Sequence, residues 1–299
     1  MRHHRIVIGT RGSKLARAQA EIVAQRVRQV RPYTPVEQRI IVTSGDRDRE
    51  SDLSVIGGKG IFIRELEQAL IDGVIDLAVH SFKDVTTELA PSLVLDAFLT
   101  PESVADVLVT DADLPVAFLP KGALIGTGSA RRKALLLRMR PDLQVTPIRG
   151  NVDTRIAKVD RKEYAGVMLS EAGLIRLGLD RRVSVRMNPA TFYPAPGQGV
   201  ITVETRRDDD DLRVLCSLLG DAEQSGISTA ELSLLGTIGF DCRTPLGVYS
   251  TVEQGYLQMS GFFVDGHTGD FRECATGGPV ADGAAVGNEL AVLLKRGTR

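Results

Sequence analysis

Short apolar runs alternate with stretches of helical periodicity along the first two thirds of the chain. Ile6-Val7-Ile8 is followed by a polar turn, Gly9-Thr10-Arg11-Gly12-Ser13. Apolar residues then recur at Leu15, Ala18, Ile22, Val23 and Val27, the spacing of an amphipathic helix. Arg39 to Val42 predicts a second strand, Ile61 to Ile71 a second helix and Leu77-Ala78-Val79 a third strand. The alternation restarts with strands at Val107-Leu108-Val109, Ala123-Leu124-Ile125, Val145 to Ile148 and Gly166 to Leu169, and with helices over Ala130 to Met139 and from Val152. Such alternation predicts βαβ units and a mainly parallel sheet. Ligands of open α/β sheets sit beyond the carboxyl ends of the strands. Arg11, Asp46, Lys83, Asp84, Thr127, Ser129 and Arg149 all fall at such ends, and two α/β domains facing each other across a cleft would gather them.

Tyr193 to Gly199 is a Pro/Gly-rich break. Val200 to Glu204 predicts another strand, and Arg206 to Asp211 a charged, solvent-facing turn. From about Asp221 the pattern changes to a helix (Ser228 to Gly236), a loop around Cys242, several short strands and a terminal helix (Ala284 to Lys295). This predicts a third, smaller α+β domain.

The length, 299 residues, also calls for more than one core. Lys plus Arg total 37 against 38 for Asp plus Glu, so there is no global basic field and nucleic acid is not an expected partner. No apolar run is long enough to cross a bilayer, and no signal-peptide core follows Met1, so a cytoplasmic protein without a membrane partner is expected. Cys216, Cys242 and Cys274 lie far apart, without a CxxC pair, and the four histidines lack ligand spacing. A disulfide framework and a metal site are therefore not expected.

Any anion site must come from local clusters. Thr127-Gly128-Ser129-Ala130-Arg131-Arg132 follows a strand and opens a helix. It reads equally as an anion site at a helix N-terminus or as a cap followed by two solvent-exposed arginines. Arg149-Gly150-Asn151-Val152-Asp153-Thr154-Arg155 repeats the arrangement, and Arg11 is a third instance. Gly57-Gly58-Lys59-Gly60 lacks P-loop spacing and suits a lid better. In His80-Ser81-Phe82-Lys83-Asp84 a carboxylate beside a lysine suits proton transfer or a surface ion pair, and His80 reads as a structural histidine. Cys242 is the candidate nucleophile, or else a small buried apolar residue; Cys216 and Cys274 take the second reading more readily.

These segments, in this order, resemble porphobilinogen deaminase (hydroxymethylbilane synthase). The likeness adds Ala172 to Gly178 and Pro194 to Gly199, and covers most of the chain up to about residue 250. It implies three domains: residues 1–99 plus 200–217, residues 100–199, and residues 218–299. The first two are shaped like periplasmic binding proteins with the active-site cleft between them, and the third is a small α+β domain carrying the cofactor cysteine. It implies a dipyrromethane cofactor held by a thioether to Cys242, with porphobilinogen as substrate and a monomeric enzyme. Four units are added, ammonia is released, and linear hydroxymethylbilane leaves for porphyrin and haem synthesis. Asp84 matches the catalytic carboxylate. Ser13, Ser81, Lys83, Asp84, Thr127, Ser129, Arg131, Arg132 and Arg155 match cofactor-binding positions. Arg11, Arg149, Arg176, Gln198, Lys59 and Phe62 match substrate-binding or lid positions. No metal is implied.

The chain departs from the family's usual pattern at several places. Ala105 and Leu232 stand where arginines are usual, Phe240 and Asp241 replace two glycines before Cys242, Phe82 replaces a methionine and Thr86 a proline. Two alternatives to the standard enzyme follow: a divergent paralogue with altered cofactor loading or product, and a non-catalytic binder of anionic small molecules.

Overall fold

Strand β1 (Ile6–Thr10) is buried along its whole length, as an apolar run inside a sheet covered on both faces should be. Ser13 then starts helix α1 (Lys14–Val30) by accepting a hydrogen bond from the Ala16 amide at 3.2 Å. Gln19, Ala20, Val23, Ala24 and Val27 form its buried stripe. The computed structural model describes residues 4–43, 63–111, 113–239, 244–266 and 268–296. The chain divides into two compact units, residues 1–101 with 200–225 and residues 102–199 with 226–299.

The first unit continues with β2 (Val36–Ile40), α2 (Arg64–Ile71), β3 (Leu77–Ser81) and β4 (Leu93–Leu99). It is completed by β10 (Ile201–Arg206) and α6 (Asp210–Leu219). Strand order is β2-β1-β3-β10-β4. β1 runs parallel to β2 and β3, whereas β10 is antiparallel to both its neighbours. The sheet is therefore mixed where a mainly parallel one was expected. Ile6, Ile8, Leu77, Val79, Ile201 and Val203 pack with α1 and with Leu212, Leu215 and Cys216 of α6.

The solvent-facing turn expected over Arg206 to Asp211 narrows to the exposed Arg207-Asp208, because Arg206 belongs to β10 and helix α6 takes up the acidic residues that follow. Asp209 is buried and its carboxylate accepts from the Leu212 amide at 3.4 Å, so part of the acidic run caps a helix. Arg206 ends β10 and donates from Nη1 to the carbonyls of Leu70 and Ile75, each at 2.9 Å. Burial raises the thiol pKa of Cys216, which lies inside this core.

The second unit holds β5 (Asp106–Thr110), β6 (Leu124–Gly126), α3 (Ala130–Met139), β7 (Gln144–Thr146), α4 (Val152–Asp160), β8 (Gly166–Ser170), α5 (Glu171–Arg176) and β9 (Val185–Arg186). Its sheet order is β7-β6-β8-β5-β9, again with the antiparallel strand, β5, in fourth place. Helix α7 (Ala222–Ile238) has its first turn in the first unit. An antiparallel sheet follows, made of β11 (Leu246–Glu253), β12 (Tyr256–Val264) and β13 (Phe271–Pro279), and then α8 (Gly283–Arg296). Ala230, Leu234, Leu257, Met259, Leu290 and Leu294 fill the core between this sheet and the two helices. Among the described residues no helix is long and apolar enough to cross a membrane.

Helices α7 and α8 cross closely at Gly287, where an added Cβ would lie 1.9 Å from the Ala230 carbonyl oxygen. The backbone itself blocks the methyl group, so no side-chain rotation can relieve it. Gly287→Ala should lower stability by about 1–3 kcal/mol. A urea midpoint that falls at unchanged slope checks this.

Candidate active site

In the first unit the candidate residues lie at the carboxyl ends of two adjacent parallel strands. β1 delivers Arg11 and Ser13, and β3 delivers Ser81, Lys83 and Asp84. Ser81 Oγ is held from α1, 2.9 Å from Nε2 and 3.1 Å from Oε1 of the buried Gln19. A single 3-10 turn, Phe82–Asp84, follows β3. Phe82 is buried edge-on against Phe98, with ring centroids 5.0 Å apart, and its amide donates to the Val200 carbonyl at 2.9 Å. This anchor leaves Lys83 and Asp84 exposed on the turn. His80 points into the protein instead. Its Nε2 lies 3.0 Å from Oε2 of Glu204, and both side chains are buried.

In the second unit, β6 and β7 are adjacent and parallel and carry Thr127, Ser129 and Arg149 just past their ends. Ser129 caps α3 by accepting from the Arg132 amide at 3.3 Å, and Thr127 Oγ1 accepts from the Ser129 amide at 3.2 Å. Arg131 and Arg132 are not the solvent-exposed arginines that one sequence reading allowed. They are 4% and 7% exposed, and both close on Asp106 at the start of β5. Arg131 donates bidentately, Nη1 to Oδ2 at 2.5 Å and Nη2 to Oδ1 at 3.2 Å. Arg132 donates to Oδ1 from Nε at 2.8 Å, with Nη2 at 2.7 Å. Burial alone would raise the Asp106 pKa, but the two guanidiniums overcome it and hold the carboxyl at about 2.

Gln198 belongs to the same cluster. Its Nε2 donates to the Val104 carbonyl at 2.7 Å and to Asp106 Oδ1 at 3.0 Å, while Oε1 accepts from Arg131 at 3.4 Å. Two guanidiniums thus share one carboxylate, which leaves an excess positive charge. Among the described residues the buried Arg131 Nε has no hydrogen-bond partner. Arg176 donates to Glu102 at 2.5 Å and to the Gly199 carbonyl at 2.5 Å, and Arg155 Nε donates to the Gly150 carbonyl at 2.7 Å. Arg11, Arg149 and Arg155 are half-buried. Lys59, Phe62 and Cys242, together with Asp46, Phe240 and Asp241, lie outside the described residues.

Sequence reasoning missed Gln19, Glu204 and Asp106 as supports of these residues. Their signal was weak: Gln19 is one polar residue on an apolar helix face, Asp106 opens an apolar run, and Glu204 is one of several polar residues in its strand.

Residues 6–214 match the family described as "Porphobilinogen deaminase, dipyromethane cofactor binding domain". The chain belongs to the porphobilinogen deaminase family. It is 41% identical to the porphobilinogen deaminase of Nitrobacter winogradskyi over 96% of this chain and 92% of that one. It is also 41% identical to that of Syntrophotalea carbinolica, over 97% and 92%. Among solved structures, an arginine-specific periplasmic binding protein of Salmonella typhimurium aligns with 74% of this chain and 93% of its own, at 14% identity and a TM-score of 0.39. The porphobilinogen deaminases are transferases, also called hydroxymethylbilane synthases, and the matched region is their dipyrromethane cofactor binding domain.

Proposed function

We propose that this chain joins four porphobilinogen units onto a dipyrromethane primer and releases linear hydroxymethylbilane and ammonia, a step of tetrapyrrole synthesis. The observation that carries this reading is the exposed Lys83-Asp84 turn at the end of β3, beside the β1 end that bears Arg11 and Ser13. Cys242 is the point of thioether attachment. The primer's acetate and propionate groups suit the second unit's cluster, with its excess positive charge and unpaired Arg131 Nε.

Ser13, Ser81, Lys83, Thr127, Ser129, Arg131, Arg132 and Arg155 would hold the primer. Arg11, Arg149, Arg176, Gln198, Lys59 and Phe62 would receive the incoming pyrrole. When bound, the primer supplies the pyrrole carbon to which the first unit is joined. Asp84 stabilises the positive charge that develops on the substrate's methylene carbon as ammonia departs. A carboxylate oxygen of Asp84 then takes the pyrrole proton. Lys83 and Arg11 orient the substrate's carboxylates.

We read three domains, residues 1–99 plus 200–217, 100–199 and 218–299, a reading supported by the three sheets formed among the described residues, and a cytoplasmic monomer. The intact mass of the purified chain beside a Cys242→Ala variant tests the function. We expect an added mass of two condensed porphobilinogen units in the parent and none in the variant. A bare polypeptide mass, unchanged after incubation with porphobilinogen or hydroxymethylbilane, would overturn the reading. It would favour a divergent paralogue or an anion binder, to which the buried Ala105 at a usual arginine position also points.

A further inference from the structure

Glu231 lies in the middle of α7, yet it is only 7% exposed. A carboxylate buried at mid-helix needs partners from other elements. It finds two. Oε2 accepts from the Gly197 amide at 2.6 Å, and Oε1 accepts from Ser250 Oγ of β11 at 2.8 Å. Neither partner is a cation.

The Gly197 bond falls in a segment with few donors to offer. Pro194 and Pro196 have no amide hydrogen. Gly197 sits at φ +73, a left-handed conformation that removes its amide from any ladder. The next residue is Gln198, whose amide turns back to the Ala195 carbonyl at 3.0 Å. Its side chain reaches Val104 and Asp106. A continuous polar chain therefore runs from helix α7 through Gly197 and Gln198 to Asp106, Arg131 and Arg132.

We propose that Glu231 is a positioning residue for the Arg131–Arg132 pair: by gripping the Gly197 amide it sets Gln198, and through Gln198 the carboxylate around which both guanidiniums are arranged. The consequence for primer binding rests on the function proposed above; the arrangement itself does not. In sequence, Cys242 follows shortly after the last residue of helix α7, Ile238, so one carboxylate ties the helix that precedes the attachment residue to the cluster that would receive the primer's acid groups.

The charge state of Glu231 gives the grip a distinctive signature. From its own helix, the 194–199 segment and β11, the groups that reach it are the Gly197 amide and the Ser250 hydroxyl, with no charged side chain among the described residues. Burial raises its pKa to about 7 against those two bonds. Below that pH the folded chain carries a proton that the unfolded chain loses near 4.5, so this contribution to stability fades as pH rises through about 7. Ionisation at the same point strengthens the bond to Gly197.

The test uses full-length protein with ¹⁵N-labelled arginine, whose buried Nε–H groups are visible by NMR because they exchange slowly. In the parent we expect protected Nε–H signals from Arg131 and Arg132, assigned by Arg→Lys variants, that shift with an inflection near pH 7. Glu231→Gln, which can still accept from Gly197, should keep the protection and lose the inflection. Glu231→Ala should lose the protection and take up primer at least about tenfold more slowly, as expected for a misplaced binding group. Unchanged arginine signals in Glu231→Ala, or an inflection that survives in Glu231→Gln, would overturn the proposal. Should Glu231→Ala fail to fold, the comparison of parent with Glu231→Gln still decides it. A parent that never gains primer mass sinks the proposed function alone, since the arginine signals need no primer.

Discussion

Asp84→Asn is expected to fold normally and to lower kcat by about 10²–10³-fold, the scale for losing one preorganised electrostatic partner of a transition state. Asparagine keeps the shape and one acceptor oxygen but removes the charge. Asp84 is exposed on a turn whose anchor is its neighbour Phe82, so the scaffold should not notice the change. Stability should therefore move by less than about 0.5 kcal/mol. Single-turnover release of ammonia, measured on chains that already carry primer mass, separates the chemical step from loading. A rate within twofold of the parent would remove Asp84 from the mechanism.

Asp106→Ala should be the most destabilising single change in the second unit, at about 3–5 kcal/mol. It leaves two guanidiniums, both at least nine-tenths buried, without their shared carboxylate. Asp106→Asn should be only somewhat milder, because an amide cannot neutralise either cation. Urea unfolding of the two variants checks this. A loss below about 1 kcal/mol would mean that the cluster admits water or a counter-ion and is not the closed unit its distances imply.

Much of this fold follows from short-range pattern. Ser13 and Ser129 sit where a cap must, and the helical stretches read as Leu15 to Val30 and as Ala130 to Met139 end where the helices do. Strand direction is not carried by that pattern. β5 and β10 read like their parallel neighbours but run the other way, because direction depends on where the chain comes from and not on which residues are apolar. The acidic run before Leu212 hid a helix start, since aspartates suit both a turn and a helix N-terminus. At the site, the ends of β1, β3, β6 and β7 were legible as places. The roles of Arg131 and Arg132 were not, because their partner Asp106 lies 25 and 26 residues away in sequence.

The fourth-place strand of the first sheet arrives late. β3 and β4 do not pair with each other; each pairs with β10, which is separated from β4 by the 102–199 segment. A ribosome adding about 5–20 residues per second needs on the order of 5–20 s to make the roughly hundred residues between them. Throughout that time the first hundred residues must wait with a gap in their sheet and with Leu77, Val79, Ala97 and Leu99 lacking their partners Ile201 and Val203. Nascent chains stalled before residue 200 should therefore be protease-sensitive and chaperone-bound, and those released beyond α6 should not.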